Sequence, residues 1–177
     1  YNNDDNPNAT AVTVNFTNYK LSDKAKSYIS TSRYYLGGYN SYNPPITNEM
    51  YGFERGTNRR DTDMPLYWDG MIGLMYPSDY GYAAGKTCVT ETTPFNYDGE
   101  CKNKDWLWMT TSSNYFGEIE WLISPLNMVV FTVQSSGSVY TRYVKLGGSV
   151  RPVFYLSSDV VITSGTGTSS DPYIISK

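Results

Sequence analysis

The chain has 177 residues, enough for one domain with a full core and short for two, and its 14 Lys+Arg against 17 Asp+Glu make it mildly acidic. A net charge of −3 without a basic stripe argues against nucleic acid and anionic membrane surfaces as partners. Histidine is absent, which removes Ser-His-Asp, Cys-His and zinc–histidine chemistry together.

No apolar run approaches the roughly 18 residues that cross a bilayer as a helix, and the first residues are too polar for a signal peptide or anchor. The 18 tyrosines stand among abundant Asn, Ser, Thr and Gly. Tyr gives large contact area with few rotors to freeze, which suits a binding surface, but it also suits half-buried strands.

In chain order, residues 1–8 read as a polar lead-in. Ala11 to Thr17 alternates, with Val12, Val14 and Phe16 on one face, and predicts a strand. Leu21 to Ile29 predicts a helix, capped by Ser22, favoured at its positive end by Asp23, and striped by Leu21, Ala25, Tyr28 and Ile29. Tyr34 to Tyr39 reads as a strand and turn at Gly37-Gly38. The segment Tyr39 to Thr47 is a tyrosine-rich, proline-stiffened loop, either a recognition surface or a packed connection. Met50 to Gly56 alternates and reads as a strand.

Asp61 and Asp63 in the next loop, and Asn96, Asp98 and Glu100 further on, offer scattered oxygens. Each group falls short of the six or more that calcium takes, so both read as solvated loop acids. The stretch Tyr67 to Ala83 is the centre of the chain. Ile72, Leu74 and Tyr76 alternate as a strand with one buried face, Pro77 ends it, and Ser78 caps a short helical turn begun by Asp79. Gly70 and Gly73 point to a bulge or to another backbone pressed close.

Cys88 and Cys101 are the only cysteines, in a loop rich in Thr, Pro, Gly and Asn. Two reduced thiols and a redox pair are the alternatives to a structural disulfide. A redox pair usually stands closer, as Cys-x-x-Cys, so a disulfide is expected, and with it an oxidising, extracellular setting. Strands follow at Trp106 to Met109, Ile119 to Ile123, Met128 to Val133 (apolar enough for burial on both faces), and Val139 to Val144 after a turn at Gly137. Arg151 lies in the apolar run Val150 to Leu156, where a carbonyl or carboxylate should satisfy its guanidinium. Val160 to Ile162 and Tyr173 to Ile175, joined through Gly165 to Thr168, would return the C-terminus to the sheet. There is no linker, repeat or second composition regime. Residues 1–19 read as a lead-in with a strand and 20–177 as one domain.

The run Gly73 to Ala83 (GLMYPSDYGYA), Cys88, Cys101, Asp105 to Trp108 (DWLW), Val150 to Ile162 and Gly165 to Ile175 (GTGTSSDPYII) resembles an extracellular domain of gut Firmicutes surface proteins, many of them pilin-like. That domain is similar to the C-type-lectin-like fold of formylglycine-generating enzymes and of the variable proteins of diversity-generating retroelements. The resemblance spans residues 20–177. It implies an α+β fold with a mainly antiparallel twisted sheet, one or two short helices and long loops. In a pilin-like parent, a membrane helix would precede residue 1.

The resemblance does not carry an activity across. The Glu-Pro-Asn, Gln-Pro-Asp and Trp-Asn-Asp triplets of calcium-dependent lectins do not occur, so no metal or other cofactor is expected. The copper-binding cysteine pair of the formylglycine-generating enzymes would have to be Cys88 and Cys101, whose loop reads as a staple. Asp79, Glu118 and Glu120 are the carboxylates a glycosidase pair could draw on, but nothing fixes their separation. No catalysis is expected.

The expected role is an adhesin-like module on the cell surface, with a host or neighbouring-cell protein or glycan as partner. The alternative is a pilin-like structural subunit, assembling with copies of itself. In the retroelement proteins the ligand face precedes the closing core strand, here Val150 to Leu156. By that likeness the site residues are Trp108, Asn114, Tyr115, Phe116, Tyr140 and Arg142, helped by Tyr39 and Tyr42. Trp108 and Phe116 could equally point inward as core.

Overall fold

A computed structural model describes residues 21–39, 45–57, 65–97, 101, 119–126, 129–144, 148–168 and 170–177. The fold is α+β, with mostly antiparallel sheets and a few short helices. Its centre is a four-stranded sheet in the order β6-β5-β4-β7, built from β4 (Ile119–Leu126), β5 (Val129–Gln134), β6 (Val139–Tyr143) and β7 (Ser149–Val150). Neighbours pair antiparallel except β4 and β7, which run parallel. The β5–β6 turn uses Gly137 at φ 97°, a conformation open to glycine, and the Tyr80 hydroxyl donates to its carbonyl at 2.7 Å.

Burial on both faces explains why β5 reads as a nearly continuous apolar run, while β4, equally buried, also takes Glu120 and Ser124 inside. Leu122, Leu126, Val129, Phe131 and Val133 join one core cluster with Met50, Met75, Tyr80 and Tyr97. Ile123, with Trp121 packed beside it, joins a second cluster with Tyr34, Leu74 and Tyr76. The segment between Ile72 and Ser78 links the two clusters and is buried throughout, not on one face as its alternation predicts. Its Met75 carbonyl accepts from the Ile123 N–H at 3.0 Å.

Helix α1 (Asp23–Ser27) starts as its sequence predicts, with the Ser22 hydroxyl accepting from the Ala25 N–H at 3.1 Å. Strand β1 (Ser32–Tyr35) lies slightly earlier than the reading from Tyr34 to Tyr39. The segment from Met50 to Gly56 is a correction. It belongs to helix α2 (Thr47–Arg55), because Thr47, Met50 and Glu54 face inward at helical spacing. A charged Glu on the buried face disguised the period.

Ser78 is a second correction. Helix α3 (Pro77–Tyr82) begins at Pro77, whose missing N–H and fixed φ suit the first helical position, so Tyr76 is the cap. Asp79 reaches back to accept from the Tyr76 N–H at 3.0 Å. Helix α4 (Lys86–Glu91) carries Cys88, and a 3-10 turn, Pro94–Asn96, follows. Cys88 and Cys101 are bonded, with their Cα atoms 5.7 Å apart.

The closing core strand read from Val150 to Leu156 is a third correction. It breaks into β7 and β8 (Pro152–Val153), which pair with different partners, β4 and β3 (Gly73–Leu74). Pro152 has no N–H to continue the ladder, and Phe154, Tyr155 and Leu156 are exposed. Arg151 does meet a carboxylate, with Nη2 2.8 Å from Glu120 Oε2. Among the described residues the last strands, β9 (Val161–Ser164) and β10 (Ile174–Ser176), pair with each other and not with the central sheet, to which the sequence reading returned them. Lys177 Nζ ties their end to the Ser27 carbonyl at 3.0 Å and to Asp159 at 3.0 Å. The predicted strands at Ala11 to Thr17 and Trp106 to Met109 lie outside the described residues.

Candidate binding surface

Strand β1 reads Ser-Arg-Tyr-Tyr and β2 (Tyr67–Gly70) reads Tyr-Trp-Asp-Gly, aromatic-rich sequences suited to a pleated ribbon. They pair antiparallel with Arg33 opposite Asp69, Tyr34 opposite Trp68 and Tyr35 opposite Tyr67. Opposed residues share a face, so Tyr34 and Trp68 lie on one side and Arg33, Tyr35, Tyr67 and Asp69 on the other.

The inner side anchors the ribbon. Tyr34 is fully buried, with its hydroxyl within 3.3 Å of the Val153 carbonyl, and burial raises its pKa. The rings of Trp68 and Tyr155 lie 5.6 and 5.7 Å from its own, and both remain partly exposed. Gly70 and Gly73 each face an aromatic ring, Trp68 and Tyr34 respectively, in place of the backbone expected there. A side chain at 70 would collide with the Trp68 indole.

The outer side is a fixed polar and aromatic strip. Arg33 Nε and Nη2 donate to the two Asp69 oxygens at 2.9 and 3.0 Å, while the guanidinium stacks 3.8 Å from the Tyr67 ring centroid. These bonds raise the Arg33 pKa and hold the Asp69 carboxyl below the usual carboxylate range. The Tyr35 carbonyl accepts from the Tyr76 hydroxyl at 2.9 Å, which locks that end of β1 to the core. Tyr35 and Tyr67 are exposed on this side, and Trp68 is exposed on the other.

The residues picked from the sequence fall differently. Tyr140 and Arg142 come together on β6: Tyr140 is exposed, 5.4 Å from the Phe95 ring, and the half-buried Arg142 guanidinium stands 5.8 Å from the Tyr140 centroid. Tyr39 is half-buried against the core, its ring 4.7 Å from Phe53. Trp108, Asn114, Tyr115, Phe116 and Tyr42 lie outside the described residues, as do Asp61, Asp63, Asp98, Glu100 and Glu118. Arg33, Tyr35, Tyr67, Trp68 and Asp69 escaped the sequence reading. The available signal was two short aromatic runs of matching length and opposite charge, but nothing local says they pair.

The buried carboxylates are committed elsewhere. Glu54 accepts from the Ser78 N–H at 2.9 Å, from the Ser78 hydroxyl, and from Arg55 Nη1 at 2.6 Å. Arg55 also meets Asp79 at 3.6 Å and stacks over Tyr76 at 3.8 Å and Tyr51 at 4.3 Å. Burial raises the pKa of Glu54, to about 7, and that of Glu120. Among the described residues no three His, Cys, Asp or Glu gather closely enough to hold a metal ion, and no helix is long and apolar enough to cross a membrane. Comparison with known protein families, with curated proteins and with solved structures finds no match.

Proposed function

We propose that this chain is a C-type-lectin-like domain displayed outside a bacterial cell. On this reading it is an adhesin-like module that recognises a protein or glycan on a host or neighbouring cell through aromatic and polar side chains, without catalysis. The observation that carries the reading is the β1–β2 ribbon, whose exposed Tyr35, Tyr67 and Trp68 are held rigid by Tyr34, Tyr76 and the Arg33–Asp69 pair. Tyr, Trp and Arg are the side chains that most often dominate binding energy, and prior ordering lowers the entropic cost of contact. The Cys88–Cys101 bond suits an oxidising exterior. Glu54 and Glu120, each held by an arginine inside the fold, fit structural roles better than catalytic ones.

One observation favours the second reading, a pilin-like subunit. The β9–β10 hairpin exposes Val161, Ile162, Tyr173 and Ile174, the kind of apolar surface that self-assembly covers. The test is capture of epithelial and bacterial cells by the immobilised chain and by Trp68→Ala and Tyr67→Ala variants, with folding checked by circular dichroism. Capture should fall about tenfold or more in each variant, the loss of a hot-spot side chain. Folded variants that capture as well as the parent would move the site elsewhere. A parent that captures nothing but forms concentration-dependent oligomers would favour the subunit.

A further inference from the structure

The outer face of the β1–β2 ribbon has a chemistry narrower than "aromatic and polar". The Arg33–Asp69 pair is electrically neutral as a unit, and it lies beside two tyrosines in cross-strand register. The pair leaves specific valences open. Nε and Nη2 of Arg33 are used on Asp69, whereas Nη1 takes no part in that bond, and each Asp69 oxygen keeps a second lone pair. A donor and an acceptor therefore stand side by side in a geometry fixed by two hydrogen bonds and by the Tyr67 stack.

Ions gain little from such a surface, because each charge is already answered. A hydroxyl pair gains more, since one oxygen can accept from Nη1 while the other donates to Asp69. Next to this pair Tyr35 is exposed, and the negative face of an aromatic ring attracts the polarised C–H groups of a saturated ring. We propose, resting on the binding-module reading above, that the face formed by Arg33, Asp69, Tyr35 and Tyr67 binds a neutral glycan, with a vicinal diol on the Arg33–Asp69 pair and the sugar's C–H face on Tyr35.

The experiment uses the full chain. A panel of neutral methyl hexopyranosides, and their analogues lacking one hydroxyl of a vicinal pair, is titrated to tens of millimolar and read by saturation-transfer NMR. A printed array of neutral oligosaccharides and a random-peptide display run alongside. At least one glycoside should receive saturation on its ring protons. Asp69→Asn, Arg33→Gln or removal of one hydroxyl should weaken that binding about tenfold, as expected for a hydrogen bond to a charged group. Tyr173→Ala, beside β10 in a separate sheet, serves as the control and should leave it unchanged. All three variants should melt close to the parent, because an exposed pair contributes little to stability.

Binding of no glycan in either format, or undiminished binding by the Asp69 and Arg33 variants, overturns the inference. If no glycan binds but selected peptides do, and lose binding in Trp68→Ala, the glycan assignment fails while the binding-module reading stands. If neither class binds, both fall.

Discussion

Glu54 is a carboxyl with no solvent exposure, and its protonation follows from that burial more than from its neighbours. The Ser78 N–H and hydroxyl and the Arg55 guanidinium all favour the charged form, yet the pKa still rises from 4.5 to about 7. The sign of the pH dependence is then fixed. Between those values the folded chain holds a proton that the unfolded chain has released, so stability falls as pH rises across the window and levels off above it. The total is about 3 kcal/mol at 1.36 kcal/mol for each pH unit. Glu54→Gln keeps an acceptor for Ser78 and removes the titration. Urea unfolding from about pH 4.5 to about 7 should show a downward trend in the parent that is shallower in the variant, where Glu120 still contributes a trend of the same sign. A parent trend that rises, or one the variant shares in full, would mean that Glu54 is charged throughout and that Arg55 outweighs burial. Glu120 sits differently: Arg151 meets one oxygen, while Oε1 accepts no hydrogen bond from a described residue.

At the scale of elements, helices α2 and α3 meet where α3 carries no side chain. A Cβ at Gly81 would collide with Thr47, including Cγ2 at 2.7 Å, and Thr47 is held in place by a 2.8 Å hydrogen bond to the Tyr97 hydroxyl. Gly81→Ala should gain roughly 1 kcal/mol of helix propensity and lose about 1–3 kcal/mol to overpacking, for a net destabilisation. A lower urea midpoint at unchanged m-value is the expected result; an unchanged or higher midpoint would mean that α3 shifts freely on α2. This contact also shows where the sequence is readable and where it is not. Ser22 announces the start of α1, although the helix ends at Ser27, short of the stripe residues Tyr28 and Ile29, and the runs in β4, β5 and β6 announce the sheet, because these signals are local. The period of α2 is hidden because its inward face carries Thr47, Met50 and Glu54, of which only Met50 is apolar. Arg33 and Asp69 are 36 positions apart and form a pair only through the β1–β2 register, which no local pattern encodes. The pairing of β3 with β8 and the break at Pro152 likewise depend on which strand is nearby.

Across the whole molecule, one covalent bond joins a helix of the main core to a segment beyond the 3-10 turn. Cys88 on α4 is buried within the core cluster, and its carbonyl accepts from the Tyr97 hydroxyl at 2.9 Å, the same hydroxyl that holds Thr47 on α2. The sequence separation of 13 closes a loop that contains Tyr97 and Phe95, two of the rings that pack between the helices and the sheet. Breaking the bond therefore frees the unfolded chain and loosens the part of α4 that faces α2. In the chain-entropy account a loop of this size contributes about 3 kcal/mol. For a domain near this length that corresponds to a fall of roughly ten degrees in melting temperature. The measurement is thermal unfolding of the intact chain with and without a phosphine reductant, with peptide mapping to confirm the link before reduction and its loss after. Cys101→Ser, at a half-buried position, should reproduce the reduced melting temperature and leave Cys88 as a thiol that alkylates only on unfolding. If mapping finds the link but reduction leaves melting within a degree or two, packing around Tyr97 holds α4 unaided; if mapping finds two free thiols, the staple is absent from the protein.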